Sequence, residues 1–247
     1  MIVVTAPAKL TRSLRVTGVR PDGYHLIDAE MVTVDLADEL AFDDGDALEV
    51  VGASGLAVPS GDDNLVRRAL RAVGRRAAVR LVKRIPAGAG LGGGSADAAA
   101  VLRWAGCCDP AVAAALGADV PFCLRGGRAR VTGVGEIVTP LPPLELVVTL
   151  VVPPFGVATA KVYAAWDRLG GPTGSGGNDL EAAALAVAPE LARWRDRLGD
   201  ATGASPVLAG SGSAWFVEGA FPGGERVVAR AVGPAATSSP DVGSGCA

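Results

Sequence analysis

The most chemically loaded stretch of this chain is Pro86-Ala87-Gly88-Ala89-Gly90-Leu91-Gly92-Gly93-Gly94-Ser95-Ala96, with five glycines in seven residues and an apolar helix pattern directly after it. Glycines at that density leave several backbone N–H groups free to converge on one point, because no side chain blocks close approach and positive φ is allowed. The start of the helix adds the positive end of its dipole. Together they make a cradle for an anion such as phosphate. A Walker A loop would need a lysine before Ser95, and Gly94 stands there. Gly88-x-Gly90-x-x-Gly93 satisfies the dinucleotide fingerprint, but Lys83, Arg84 and Pro86 interrupt the strand that should precede it. A plain flexible surface loop is the remaining alternative.

Other reactive side chains are few. His25 is the single histidine, so a Ser-His-Asp triad would have to be built around it and a multi-histidine metal site is excluded. Cys107, Cys108, Cys123 and Cys246 form no paired C-x-x-C motifs, which reads as free thiols in a reducing compartment. Lysine occurs only at positions 9, 83 and 161 against twenty arginines, so each is a candidate for a place where arginine does not serve. Lys9 and Lys83 are strand-end lysines unless a site claims them. Asp119 lies between the Gly117 break and Pro121, where a short carboxylate is either aimed into a cleft or caps the next helix.

The elements that must hold these residues follow from periodicity. The first sixty residues read as strands and turns, with β-patterns around Leu14–Val16, Met31–Leu36 and Ala47–Val51. Asn64 or Asp63 caps a helix carrying Leu65, Val66, Ala69, Leu70 and Val73 on one face. A strand over 77–82, the loop, helices over 96–104 and 111–116, and a strand pair over 128–139 come next. A buried strand over 146–152 precedes helices near 158–169, 179–186 and 189–198, then a strand–glycine loop–strand over 207–217 and a last helix near 224–232. The tail 234–247 is rich in Gly, Ser and Pro and is expected to be disordered. Strands first and mixed elements later make this α+β, in two closely packed halves over 1–140 and 141–233. A length of 247 residues with 49% hydrophobic and 20% charged residues is enough for a real core. A formal charge of -3 gives no nucleic-acid footprint, no apolar run is long enough for a membrane span, and no signal peptide is visible, so a cytoplasmic protein is expected.

The glycine loop resembles the phosphate loop of the GHMP kinases. Ala6-Pro7-Ala8-Lys9 and Leu208-Ala209-Gly210-Ser211-Gly212-Ser213-Ala214 are similar to that superfamily's N-terminal and C-terminal motifs. Arg20-Pro21-Asp22-Gly23-Tyr24-His25, Gly117-Ala118-Asp119-Val120-Pro121-Phe122, Gly133-Val134-Gly135-Glu136-Ile137 and Asn178-Asp179 resemble one branch of it. That branch phosphorylates the C2 hydroxyl of 4-diphosphocytidyl-2-C-methyl-D-erythritol in non-mevalonate isoprenoid precursor synthesis. The resemblance implies a two-lobed fold, with an N-terminal α/β lobe like that of a small-subunit ribosomal protein and a ferredoxin-like C-terminal lobe. It implies ATP and Mg²⁺ as cofactors, a small-molecule acceptor rather than nucleic acid or membrane, and a monomer or homodimer. Asp119 would be the base and Lys9 its charged partner. Pro86 to Ala96 would cradle the triphosphate, with Ser95 Oγ on a phosphate or the magnesium. Lys83 would lie near the nucleotide entry, and Asn64 would line the nucleotide pocket or only cap its helix. Asp22, Gly23, Tyr24 and His25 would form the cytosine pocket, with Tyr163 closing the base sandwich unless it is a core residue. Gly210 and Ser211 would border the acceptor, beside Thr11, which stands where the branch usually has asparagine. Another GHMP small-molecule kinase, of mevalonate or sugar type, and a non-catalytic nucleotide-binding protein of the same fold are the alternatives.

Overall fold

The computed structural model describes residues 1–52, 58–174 and 176–234. The separate strand signals of the first third merge into one long hairpin, β1 (Ile2–Val19) and β2 (His25–Asp43), paired antiparallel from Ile2↔Phe42 to Val19↔His25. Register slips at Pro7/Lys9, Thr11/Ser13 and Val16/Gly18 break the alternation, since a slip of one residue turns later side chains to the other face. Between the first two slips every residue from Ala8 to Thr11 is buried, so both faces of β1 are covered there.

The far edge of β2 is shared. β4 (Ala78–Val82) pairs along Glu39–Asp43 and β5 (Arg128–Gly133) along Ile27–Val32. β3 (Ala47–Val51) adds parallel to β4 and β6 (Ile137–Pro140) antiparallel to β5, completing six strands. Helix α2 (Gly93–Trp104) packs on β1, with α1 (Leu65–Ala72), α3 (Pro110–Leu116) and α4 (Val120–Arg125) around it. Its Ala96, Ala98, Ala99 and Ala100 are fully buried, and their small side chains let the neighbours approach closely. It starts at Gly93 rather than Ala96, so two of the loop glycines belong to its first turn.

A second sheet follows the order β10-β7-β9-β8, formed by β7 (Val147–Val151), β8 (Val207–Leu208), β9 (Trp215–Glu218) and β10 (Arg226–Arg230). It carries α5 (Thr159–Arg168), α6 (Glu181–Val187) and α7 (Leu191–Thr202). The helix expected near 224–232 is therefore a strand. β7 offers an edge that pairs Arg226↔Val151 through Arg230↔Val147, and the β-branched pair Val227-Val228 suits it, so tertiary pairing overrides the local helical pattern. The two sheets meet through the bridges Leu14↔Asn178 and Val34↔Ala231 and through Arg12, which pairs with Glu30 of β2 and, at 2.5 Å, with Glu218 of β9. Pro234 bridges to Gly126; the rest of the expected tail, 235–247 with Cys246, lies outside the described residues. Cys123 is buried and Cys107 half-buried, neither in a disulfide, and burial pushes the Cys123 thiol up to about 12. Among the described residues no helix is long and apolar enough to cross a membrane.

Candidate functional site

At the head of α2, Gly92 takes φ +70° and its carbonyl accepts the first helical hydrogen bond, from Ala96 N–H at 2.8 Å. The N–H groups of Gly93, Gly94 and Ser95 consequently have no acceptor inside the helix. These residues line a cavity of about 1030 Å³, together with Pro86, Ala87 and the rest of the loop to Leu91. No acidic side chain sits in the first turn, so the dipole field there stays positive. Ala96 is the exception among the expected loop residues: it is buried under the turn and off the cavity wall.

The loop is fixed from three directions. Lys9 N–H donates to Leu91 O at 3.1 Å, and Ala214 N–H donates to Ala89 O at 3.0 Å. Asp38 accepts from Ile85 N–H at 2.8 Å, just before the loop. Gly90, at φ +78°, lies so close to the C-terminal glycine loop that a Cβ there would collide with the carbonyl oxygen of Ala209 and sit 2.9 Å from that of Gly212. Asn178 in turn secures the second loop, its amide donating to Leu208 O at 2.8 Å and Gly210 O at 2.7 Å.

Lys9 is only 5% exposed; its Nζ donates to Thr11 Oγ1 at 3.0 Å and stands 3.4 Å from Asp119 Oδ2. Asp119 occupies the N-cap position of α4, yet its side chain makes no capping hydrogen bond. The carboxylate is left to Lys9 and to the cavity, which both residues line along with Thr11. The lysine stem passes under the loop, with Cγ 2.7 Å from where a Cβ on Gly92 would lie. Gly210 borders the same lysine and lines the cavity beside Ser211, whose Oγ is 2.8 Å from Thr159 Oγ1.

Lys83 lines the same cavity beside the head of α2, but as a buried, ion-paired side chain and not as a surface strand-end lysine. Its Nζ is buried, ion-paired with Asp38 and 2.7 Å from Asp97 Oδ2. The end of β4 aims it across at β2, where the buried Asp38 carboxylate needs a cation. Asp97, in α2, is pushed up to about 7 by burial and by Asp38, with Lys83 opposing. Asp38 and Asp97 had no signal in the sequence. Asn64 caps α1, accepting from Val66 N–H at 2.8 Å, and also lines the cavity.

On the same cavity, Tyr24 is 62% exposed and Gly23 lies in the turn beside it. The His25 ring lies 4.6 Å from that of Tyr163, tilted 36°, and edge-on to Trp166 at 5.6 Å. Tyr163 and His25 are thus in contact as a tilted pair, and both line the cavity with Tyr24. Burial raises the Tyr163 phenol pKa and the charge of Asp119 adds to it. Asp22 turns away from the cavity: it pairs with Arg20 at 2.6 Å and accepts from Tyr24 N–H at 3.3 Å, which holds the turn. His25 Nε2 lies 2.8 Å from Asp167 Oδ1, a partner 142 residues distant that local pattern could not reveal.

Residues 64–127, from the α1 cap through the loop to α4, match the family model described as the GHMP kinases N terminal domain. A relative from Cereibacter sphaeroides named 4-diphosphocytidyl-2-C-methyl-D-erythritol kinase is 40% identical over 258 residues, covering 92% of this chain and 93% of its own. One of the same name from Paracoccus denitrificans is 42% identical over 231 residues, covering 85% and 84%. A crystal structure of 4-(cytidine 5'-diphospho)-2C-methyl-D-erythritol kinase superposes with a TM-score of 0.74 at 32% identity, over 94% of this chain and all of that one. Identity at this level across nearly the whole length, with loop, lysine and aspartate gathered on one cavity, leaves a plain conclusion: the chain belongs to the 4-diphosphocytidyl-2-C-methyl-D-erythritol kinase family of the GHMP kinases.

Proposed function

We propose that this chain transfers the γ-phosphoryl group of ATP to the C2 hydroxyl of 4-diphosphocytidyl-2-C-methyl-D-erythritol, a step in isoprenoid precursor synthesis. The observation that carries the reading is the Lys9–Asp119 pair at 3.4 Å, placed on the cavity that the head of α2 and the His25–Tyr163 stack also line. Phosphoryl transfer asks the protein mainly for positioning and charge stabilisation, and this arrangement offers both. The free N–H groups of Gly93, Gly94 and Ser95 hold the phosphates. Asp119 accepts the proton of the acceptor hydroxyl as that oxygen attacks the γ-phosphorus. Lys9, held by Thr11, steadies the charge developing on the attacking oxygen. Tyr24, His25 and Tyr163 receive the cytosine, Gly210 and Ser211 border the acceptor, and a nucleotide-only binder would need neither Lys9 nor Asp119.

Among the described residues no group of three or more His, Cys, Asp or Glu side chains is placed to hold a metal ion. A magnesium ion entering on the nucleotide's phosphates would be held by them and by Ser95 on the cavity wall. When bound, that ion neutralises phosphate charge.

A coupled assay of ADP release with ATP and a panel of acceptors tests the reading. Turnover is expected with the cytidine-diphosphate-linked methylerythritol, and little with mevalonate, homoserine or a free sugar. Turnover with one of the others would move the chain's activity to another GHMP kinase chemistry. Nucleotide binding without turnover on any acceptor would mark a binder.

A further inference from the structure

We infer that Asp167 is a positioning residue that selects cytosine over uracil by fixing the tautomer of His25. The inference rests on the acceptor reading above and extends it to a residue that touches the base only through the histidine. His25 Nε2 and Asp167 Oδ1 are 2.8 Å apart. A carboxylate can only accept a hydrogen bond, so the hydrogen in that contact belongs to Nε2. While the imidazole is neutral it carries one ring hydrogen, so Nδ1 is then left as a lone-pair acceptor. Among the described residues no hydrogen bond to Nδ1 is formed. The ring cannot flip freely to bring Cε1 where Nε2 now stands, because Tyr163 lies tilted against it at 4.6 Å and Trp166 closes on it edge-on. Both His25 and Asp167 line the cavity.

An acceptor at Nδ1 has a definite chemical preference. The exocyclic amine of cytosine donates hydrogen bonds, whereas uracil carries a carbonyl oxygen at the same position. The first pairs with a lone pair and the second is repelled by it. Losing Asp167 frees the imidazole to carry its hydrogen on Nδ1, which would welcome the uracil oxygen. Asp167 therefore acts on discrimination, through a ring whose position the aromatic stack already sets.

The sole histidine makes the test direct. In uniformly ¹⁵N-labelled, tag-free protein, one pair of ring nitrogen resonances reports the tautomer of His25. The parent should show Nε2 protonated and Nδ1 bare, and Asp167→Ala should shift both resonances toward the average of two tautomers. A parent with hydrogen on Nδ1 overturns the inference without any variant. In kinetics, the ratio of kcat/KM for cytidine- over uridine-diphosphate-linked acceptor should fall about tenfold in Asp167→Ala, the scale of one hydrogen bond. The loss should fall on KM for the cytidine acceptor more than on kcat. Asp167→Asn, whose amide oxygen can still accept from Nε2, should keep most of the ratio. An unchanged ratio in Asp167→Ala, or equal loss for both acceptors, reduces Asp167 to a structural residue. Failure of the parent to use the cytidine acceptor at all would instead remove the acceptor reading.

Discussion

Replacing Gly92 with alanine separates two jobs that the glycine loop could be doing. A glycine that exists to admit phosphate should, when substituted, weaken ATP binding first. The structure points elsewhere. A Cβ at Gly92 would lie 2.7 Å from Lys9 Cγ, 3.2 Å from Cε and 3.6 Å from Cδ. Relief to ordinary contact needs the lysine stem to move by about 0.7 Å or more, since Cβ contacts rarely fall below 3.4 Å. The left-handed φ of +70° adds about 1–2 kcal/mol of strain for a residue with a side chain. That strain alone leaves most domains folded, given total stabilities of about 5–15 kcal/mol. The displacement matters more, because Lys9 Nζ is only 3.0 Å from Thr11 and 3.4 Å from Asp119. Misplacement by about 1 Å at a reacting centre can cost roughly a hundredfold in rate. Gly92→Ala should therefore lose about 10- to 100-fold in kcat while KM for ATP changes by less than about threefold. Steady-state kinetics at saturating acceptor, with a thermal melt to confirm folding, reads both numbers. Gly94→Ala is the control, because its Cβ would meet only Leu65 Cδ1 at 3.4 Å and its φ is not left-handed. A folded Gly92→Ala enzyme with parental kcat and a raised KM for ATP would refute the argument and return Gly92 to the phosphate.

Asp119→Asn should lower kcat by about 10²-fold or more with ATP binding retained, because the carboxamide cannot take the hydroxyl proton; equilibrium nucleotide binding beside single-turnover rates checks it. Asp97 gives a pH prediction. Its carboxyl is pushed up to about 7 in the folded chain against 3.8 as a free group, so between those values the native state holds a proton that the unfolded state has released. Its contribution is complete below about pH 4 and is lost as pH rises through 7. Asp97→Asn should flatten that slope in urea unfolding between pH 5 and 8 and unfold at higher urea than the parent at pH 8; parallel profiles would show that Asp97 does not titrate there.

What the sequence made legible was local. Asn64 before an amphipathic run announces a capped helix, and α1 starts where that cap puts it, with Val66, Ala69 and Leu70 buried. Asp119 beside Pro121 left two uses open, and only the structure shows its side chain making no cap and lying near Lys9. What stayed hidden was relational. Lys83 reads as a strand-end lysine because its partner Asp38 is 45 residues earlier, on a strand whose pairing no window of sequence contains. Asp167 reads as a helix surface acid until His25 arrives beside it from the first hairpin. Residues 226–230 read as helix for the same reason, since the edge of β7 that captures them lies some eighty residues upstream.

The glycines of the loop carry this distinction furthest. All five fit one explanation in the sequence, room for phosphate, yet the structure gives them different neighbours. Gly90 is required by the second sheet's glycine loop, whose Ala209 carbonyl fills the place of its absent side chain. Gly92 is required by Lys9, and Gly93 has Lys83 Nζ 3.1 Å from where its Cβ would be. The backbone approaches protein on one side while presenting the N–H groups of 93–95 to the cavity on the other. An anion cradle of free N–H groups is stable only if the loop's shape does not depend on the anion. Here Asp38 before it, Lys9 beneath it and Ala214 across from it already hold that shape. Substitutions at Gly90 and Gly92 should accordingly disturb lobe contact and lysine placement respectively, and phosphate only through them.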